Sequence, residues 1–110
     1  MKGRTMDWTL LVLAGLLEIG WAVGLKYTDG FTKLWPTVLT VVALAGSMVL
    51  LALAVRTIPI GTGYAVWTGI GAVGTAIFGM AVLGESTAMA RVLFLGVVVL
   101  GILGLKATAH

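Results

Sequence analysis

Apolar residues in this chain gather into long blocks that are separated by short polar segments. The apolar blocks cover roughly residues 8–25, 34–55, 58–83 and 87–105. Each is close to the roughly 20 residues that a helix needs to cross about 30 Å of hydrocarbon. Helices are expected because an open strand cannot satisfy its backbone hydrogen bonds in lipid. The pattern predicts an all-α membrane protein whose four transmembrane helices form a single domain, residues 1–110.

Composition and charge narrow the class of protein further. Hydrophobic residues make up 60% of the chain, charged residues 10%, and the mean hydropathy is +1.14, so its solvent is predicted to be a lipid bilayer. The net charge is +3, but Lys and Arg are scattered at the block ends, so no nucleic-acid partner is predicted. The chain has no cysteine and no metal-ligand or catalytic spacing. We therefore expect no metal, no cofactor and no enzyme activity.

Glu18 is the only acidic residue deep inside an apolar block. It has ten block residues before it and seven after it. A charged side chain at that depth costs on the order of 2.5–3.5 kcal/mol, and such residues typically mark an ion pathway or a proton relay. The chain is therefore predicted to be a small transporter built around this acid.

Four polar or aromatic side chains are candidates for a substrate- and proton-binding site with Glu18. Trp21 follows Glu18 by three residues, so both side chains lie on one helical face. Tyr64 and Trp67 share a face of the third block, and Ser47 is the polar residue in the middle of the second. Their N–H and O–H groups can donate to a carboxylate, and aromatic faces favour cations. Aromatic residues in membrane proteins more often form interfacial belts, but these three lie further from the block ends.

Glycines indicate close contacts between helices. Gly15 leaves room below Glu18, and Gly69, Gly71 and Gly74 give the third block small faces that let backbones approach. A glycine-rich helix also bends more easily, so this stretch is a candidate hinge, although ordinary packing explains it equally well. Residues 69–74 also match the G-x-G-x-x-G dinucleotide pattern, but a βαβ context is absent.

The positive charges show almost no bias between the two sides of the membrane. Four fall on one side of the predicted spans and three on the other: Lys2, Arg4, Arg56 and Lys106 against Lys26, Lys33 and Arg91. Because this bias sets the orientation of short-looped membrane proteins, the chain is expected to insert both ways. Dual topology makes an antiparallel homodimer available, with the binding site between its halves.

The chain resembles the small multidrug resistance transporters over nearly its whole length. The motifs that carry the resemblance are Gly15-x-x-Glu18, Lys26, Ser47 and the segment Pro59-Ile-Gly-Thr-Gly-Tyr-Ala-Val-Trp-Thr-Gly-Ile-Gly71. Within that family, Glu18-Ile-Gly-Trp21 and Gly104-Leu-Lys106-Ala-Thr look like the guanidinium-exporter branch. Leu44 stands where multidrug members carry a tyrosine, and their glycine pair in the last helix is matched only at Gly101, with Phe94 at the other place.

The resemblance implies a proton-coupled antiporter that exports guanidinium, and small substituted guanidinium ions, across the inner (plasma) membrane as an antiparallel homodimer. Two Glu18 carboxylates would bind the planar cation or protons in competition. Trp21 and Ser47 would orient the carboxylates, while Tyr64 and Trp67 would wall the site.

Two other functions remain open at the level of sequence. A multidrug exporter of quaternary ammonium cations would share the fold and the central acid. A dual-topology ion channel would also be small and charge-balanced, but it has no need of a titrating acid. Glu18 therefore favours the antiporter.

The balanced charges predict dual insertion. A cysteine introduced at the N-terminus should react with an impermeant reagent in roughly half of the molecules of intact vesicles, because a weak charge bias leaves both orientations populated. Uniform labelling, or uniform protection, would rule out an antiparallel dimer.

Overall fold

The computed structural model describes residues 2–108, and the side chains of residues 6–108. Its described part consists of four α-helices: α1 (Lys2–Tyr27), α2 (Leu34–Ala54), α3 (Ile60–Val82) and α4 (Met89–Thr108). Each is long and apolar enough to cross a membrane. The predicted all-α fold with four candidate spans is thus confirmed. α1 begins at Lys2, ahead of the apolar block predicted from residue 8, so its first turns include polar residues. The side chains of Lys2 and Arg4, which entered the charge comparison, lie outside the described part.

The turn between α1 and α2 reverses the chain within a few residues. Asp29, Gly30 and Phe31 have φ angles of 49°, 68° and 68°, a left-handed conformation that residues other than glycine seldom adopt. Thr28 is buried beneath this turn, where its hydroxyl donates to the Leu25 carbonyl (2.9 Å) and accepts from the Phe31 N–H (3.3 Å). These bonds fix the shape of the turn, after which α2 packs along α1 as an antiparallel neighbour.

The connection between α2 and α3 is attached to the start of α1. The hydroxyl of Thr57 donates to the buried carboxylate of Asp7. Pro59 then precedes the first residue of α3, where its missing N–H costs no hydrogen bond, and its carbonyl accepts from the Gly63 N–H at 2.8 Å. This end of the three helices is therefore held together by a polar contact.

The helices form a flat layer in which α1 is central. α1 contacts α2 extensively and α3 to a lesser extent, whereas the backbone of α4 approaches only α3 among the described helices. The side chain of Lys106 reaches back over the ring of Trp8, with Nζ 5.3 Å from its centre. The chain measures 43 × 35 × 18 Å, so its thinnest dimension is less than two helix diameters of about 10–12 Å each.

A small core lies where α1, α2 and α3 meet. Its buried apolar residues are Leu11, Ala14, Leu51, Ala54, Ile58, Val66 and Trp67. By contrast, no residue of α4 is buried. Since lipid is as apolar as leucine, these outward side chains need no protein cover. The structure therefore relies on close helix contact rather than on a large interior.

Glycines allow that close contact between α1 and α3. A Cβ atom placed on Gly15 would lie 2.7 Å from Cγ2 of Ile70, and one placed on Gly74 would lie 2.6 Å from Cγ1 of Ile19. Real Cβ atoms do not approach so closely, so any larger residue would push the helices apart. Each of these glycines thus lies directly against a side chain of the other helix.

The other two predicted glycines also lie at helix contacts. A Cβ on Gly69 would lie 2.8 Å from Cδ1 of Ile102 in α4, and one on Gly71 would overlap the carboxyl group of Glu18 in α1. α3 runs without a break across these positions. The hinge predicted for this stretch remains a prediction.

Adding one methyl group should separate packing glycines from neutral ones. Gly74→Ala should lower the free energy of unfolding by about 1–3 kcal/mol, because the new Cβ overlaps Ile19 and overpacking is destabilising. Gly61→Ala is the matched control in the same helix, since its Cβ would meet nothing within 4 Å. Unfolding by denaturant in detergent measures both; equal effects would contradict the assigned contact.

Candidate functional site

The central feature of the site is the carboxyl group of Glu18, midway along α1. It lies on the backbone of α3 at Gly71, where an added Cβ would be 2.6 Å from its Cδ atom. Its Oε2 atom is buried and accepts no hydrogen bond from the described residues. Leaving a buried acceptor unsatisfied is costly, and more so for a charged group. This oxygen is therefore available to an N–H donor or a proton from outside the chain.

Trp21 offers a matching donor one turn further along α1. Its indole Nε1 atom is also buried without a hydrogen-bond partner in the described part of the chain. Residues three apart on a helix are neighbours on one face, so Trp21 stands beside Glu18 as the sequence predicted. An unused donor and an unused acceptor that project from the same helix face suit a ligand or water that can bond to both.

Ser47 and Trp67 have a different arrangement from the one predicted. The hydroxyl of Ser47 donates to the carbonyl of Ala14 (2.7 Å) and accepts from the indole Nε1 of Trp67 (2.8 Å). A hydroxyl has only one proton, so Ser47 has none left to donate to Glu18. Ala14 precedes Glu18 by one turn of α1. Ser47 and Trp67 thus join the three helices just below the carboxylate instead of bonding to it in this chain.

Tyr64 faces away from the interior of the chain. Its side chain is 56% exposed, and its ring packs against Trp67 with the ring centres 5.6 Å apart and the planes tilted by 56°. Trp67 itself is only 6% exposed, because Tyr64 and the core cover it. Within one chain Tyr64 therefore covers Trp67 rather than enclosing Glu18.

The structure also identifies a polar group that the sequence did not single out. The hydroxyl of Thr75 is buried without a hydrogen-bond partner among the described residues, one turn beyond Gly71 on α3. A threonine in an apolar helix usually bonds back to its own backbone, as Thr68 does to the carbonyl of Tyr64 at 2.8 Å. No spacing in the sequence distinguishes the two threonines; only the packing does.

The arrangement divides the predicted site residues into two groups. Glu18 and Trp21 keep unused polar atoms, whereas Ser47 and Trp67 satisfy each other and Tyr64 covers them. The first group can bind a cation that donates N–H bonds. The second group ties together the helices that position Glu18 and Trp21.

Known proteins resemble this chain along nearly all of its length. The family model described as Small Multidrug Resistance protein matches residues 6–98. A guanidinium exporter of Salmonella typhimurium (strain LT2) is 58% identical over 105 residues, which cover 96% of this chain and 100% of the relative. One from Citrobacter freundii is 57% identical over the same lengths. One from Yersinia pseudotuberculosis serotype I is 59% identical over 101 residues, 92% of this chain and 97% of the relative.

These similarities agree with four apolar helices, the first of which carries Glu18. The relatives are named as transporters and not as enzymes. The chain is a multi-pass membrane transporter that belongs to the small multidrug resistance family.

Proposed function

We propose that this protein exports guanidinium, and small substituted guanidinium ions, in exchange for protons across the inner (plasma) membrane. The observation that carries the proposal is the buried Oε2 atom of Glu18, which receives no hydrogen bond from the described chain, while the indole N–H of Trp21 on the same helix face is equally unused. Relatives named guanidinium exporters, 58% and 59% identical to this chain, support the same cargo.

The chemistry of Glu18 suits guanidinium in particular. Guanidinium is planar and carries N–H donors in a fixed fork, so two N–H groups along one edge of the ion can bond both oxygens of a carboxylate. A carboxylate that is already satisfied by the protein would gain little from such a ligand. Because Oε2 has no internal donor, cargo binding both neutralises the charge and fills the missing bond. A quaternary ammonium ion supplies the charge but no N–H group.

The functional unit in this proposal is an antiparallel homodimer. One chain is a layer only 18 Å thick, and its α4 has no buried residue. A Cβ on Gly96, Gly101 or Gly104 of α4 would meet nothing within 4 Å, so this helix has open positions for a close partner. A second copy would supply a second Glu18 and cover the exposed ring of Tyr64. The near balance of positive charges lets the two copies insert in opposite directions.

Proton coupling follows from shared use of the two carboxylates. If they bind either protons or one monovalent cation, an exchange can release up to two protons for one guanidinium. Each exporting cycle then moves net positive charge inward, so voltage contributes about 2.3 kcal/mol per elementary charge and 100 mV. Guanidinium binding should weaken as pH falls, because protonation removes the charge that the cation needs.

Transport currents test the proposed function directly. On reconstituted protein, solid-supported-membrane electrophysiology should give currents with guanidinium and methylguanidinium and none with urea, which is neutral. Currents with tetraethylammonium alone would assign the protein to quaternary ammonium export instead.

Substitution of the central acid tests the coupling. Glu18→Gln keeps the size of the side chain but cannot bind a proton as a carboxylate, so the variant should fold and dimerise while losing proton-driven exchange. Asp29→Asn, in the exposed turn between α1 and α2, is the matched control and should transport normally. Uphill export by Glu18→Gln, or wild-type affinity that is indifferent to pH, would contradict the assignment.

Two substitutions should separate binding of cargo from support of the fold. Trp21→Phe removes an N–H that has no partner in the described chain, so transport should fall with little change in stability. Ser47→Ala leaves the indole of Trp67 without its acceptor and should also lower transport, with a cost of about 1–3 kcal/mol in unfolding free energy. Transport rates and denaturant unfolding of both variants supply the comparison. Normal transport by Trp21→Phe would remove Trp21 from the site.

A further inference from the structure

A second carboxyl group lies on α3 in the same way as Glu18. A Cβ placed on Gly79 would be 2.6 Å from Cδ of Glu85, the distance that separates a Cβ on Gly71 from Cδ of Glu18. The two glycines are two turns apart, about 12 Å along the helix axis. In each case the missing side chain lets a carboxyl group rest on the helix backbone. α3 therefore carries an inner and an outer acid on neighbouring parts of its surface.

The position of Glu85 is set by the end of α3. The N–H groups of Leu83 and Glu85 both donate to the carbonyl of Gly79, at 3.1 and 3.0 Å, and Gly84 between them has a φ of 72°. Glycine adopts this left-handed conformation without strain. The turn folds the chain back so that Glu85 lies over the last turns of its own helix.

A cavity beside Glu85 extends between α1 and α3 as far as Ala22, one turn beyond Glu18, but Glu18 does not line it. Its volume is about 410 Å³, and Thr75, Glu85, Arg91 and Lys26 contribute its polar groups. Its inner end includes Ala72, which follows Gly71 directly in the chain. Thr75 lies halfway, and its hydroxyl is buried without a partner in the described chain. Thr75 thus lies one turn of α3 from Gly71, where the Glu18 carboxyl rests, and one turn from Gly79, where the Glu85 carboxyl rests.

Glu85 already binds a guanidinium group that belongs to the protein. Nη2 of Arg91, near the start of α4, donates to Oε1 of Glu85 at 2.8 Å. The side chains are 36% and 46% exposed, so water competes with this ion pair and makes it weak. The head group of arginine is a substituted guanidinium, so a carboxylate that pairs with it pairs with the free ion by the same bonds.

Because Lys26 also lines this end of the cavity, a cationic cargo can be attracted here only by the carboxylate of Glu85. The cavity is lined by two cationic side chains, Lys26 and Arg91, and one acidic side chain. The cations repel a positively charged cargo everywhere except where the carboxylate is free. Arg91 therefore competes with the cargo for Glu85.

We propose that Glu85 is an outer binding site for guanidinium-type cations, which cargo occupies by displacing the guanidinium group of Arg91. The site rests on the proposed function, since it requires a guanidinium-type cargo. It lies outside the pair of central acids and holds cargo briefly on its way between Glu18 and the water. Weak binding suits such a position, because a transport path must let its ion leave.

The proposal predicts opposite effects for the two members of the ion pair. Glu85→Gln should raise the KM for guanidinium roughly two- to fivefold, the range expected from a weak, half-exposed ion contact. Arg91→Gln should lower the KM, because it removes the internal competitor. If the pair only stabilised the turn, both substitutions would break it and change transport in the same direction. Initial transport currents of reconstituted protein at a series of guanidinium concentrations measure the KM values.

A double variant separates displacement from a general effect of charge. In the Glu85→Gln background, Arg91→Gln should lower the KM by no more than Lys26→Gln does, since each then removes one repelling charge and frees no carboxylate. Lys26→Gln is the matched control: it removes one positive charge from the same cavity without freeing a carboxylate, so its effect should add to that of Glu85→Gln. An Arg91→Gln effect that is as large in the double variant as in the wild type would overturn the outer site.

Failure of the outer site and failure of the proposed function give different results. A wild type that transports guanidinium, with variants whose KM values change in the same direction or stay unchanged, would overturn the outer site alone. A wild type without any guanidinium current would overturn the proposed function, and the outer site with it.

Discussion

The contact between the carboxyl group of Glu18 and the backbone of Gly71 is the constraint on which the rest of the structure depends. A carboxylate in the middle of a bilayer needs space away from lipid, and the helix surface at Gly71 provides it. That space exists only while α1 and α3 remain close together. Gly15 and Gly74, on either side, keep them close because each accepts an isoleucine side chain of the opposite helix. Small residues along this one helix interface thus make the space in which the acid is buried.

The polar groups of the membrane interior serve two purposes, and hydrogen bonding distinguishes them. Ser47, Trp67 and the Ala14 carbonyl satisfy one another, and they tie three helices together one turn from Glu18. Glu18 and Trp21 keep unsatisfied atoms in the described chain. Satisfied polar groups inside a protein stabilise one arrangement, whereas unsatisfied ones favour a ligand that completes them. A transporter needs both, because cargo must bind to a site that its empty form still holds in shape.

The buried residues of this chain are unevenly distributed over its helices. α1, α2 and α3 share the buried core, whereas α4 approaches only α3 and buries none of its residues. Family membership makes the chain a membrane transporter, and the flat shape gives a physical reason why a single copy cannot surround a cation. The Glu85 and Arg91 pair lies where α3 and α4 connect, so movement of α4 relative to α3 would also change access to the cavity beside it.

The sequence alone determined the four spans, the depth of Glu18 and the glycines at helix contacts, because each is a property of one helix and its period. It also put Trp21 and Glu18 on one face of α1, since residues three apart on a helix share a face. Only the tertiary structure decided that the Ser47 proton goes to Ala14, that the hydroxyl of Thr75 stays without a partner in the described chain, and that Glu85 lies on Gly79. A hydroxyl or a carboxyl group can bond to many neighbours, so its partner depends on which helices meet and at what height. Residues far apart in the chain settle that through packing, and no local pattern records it.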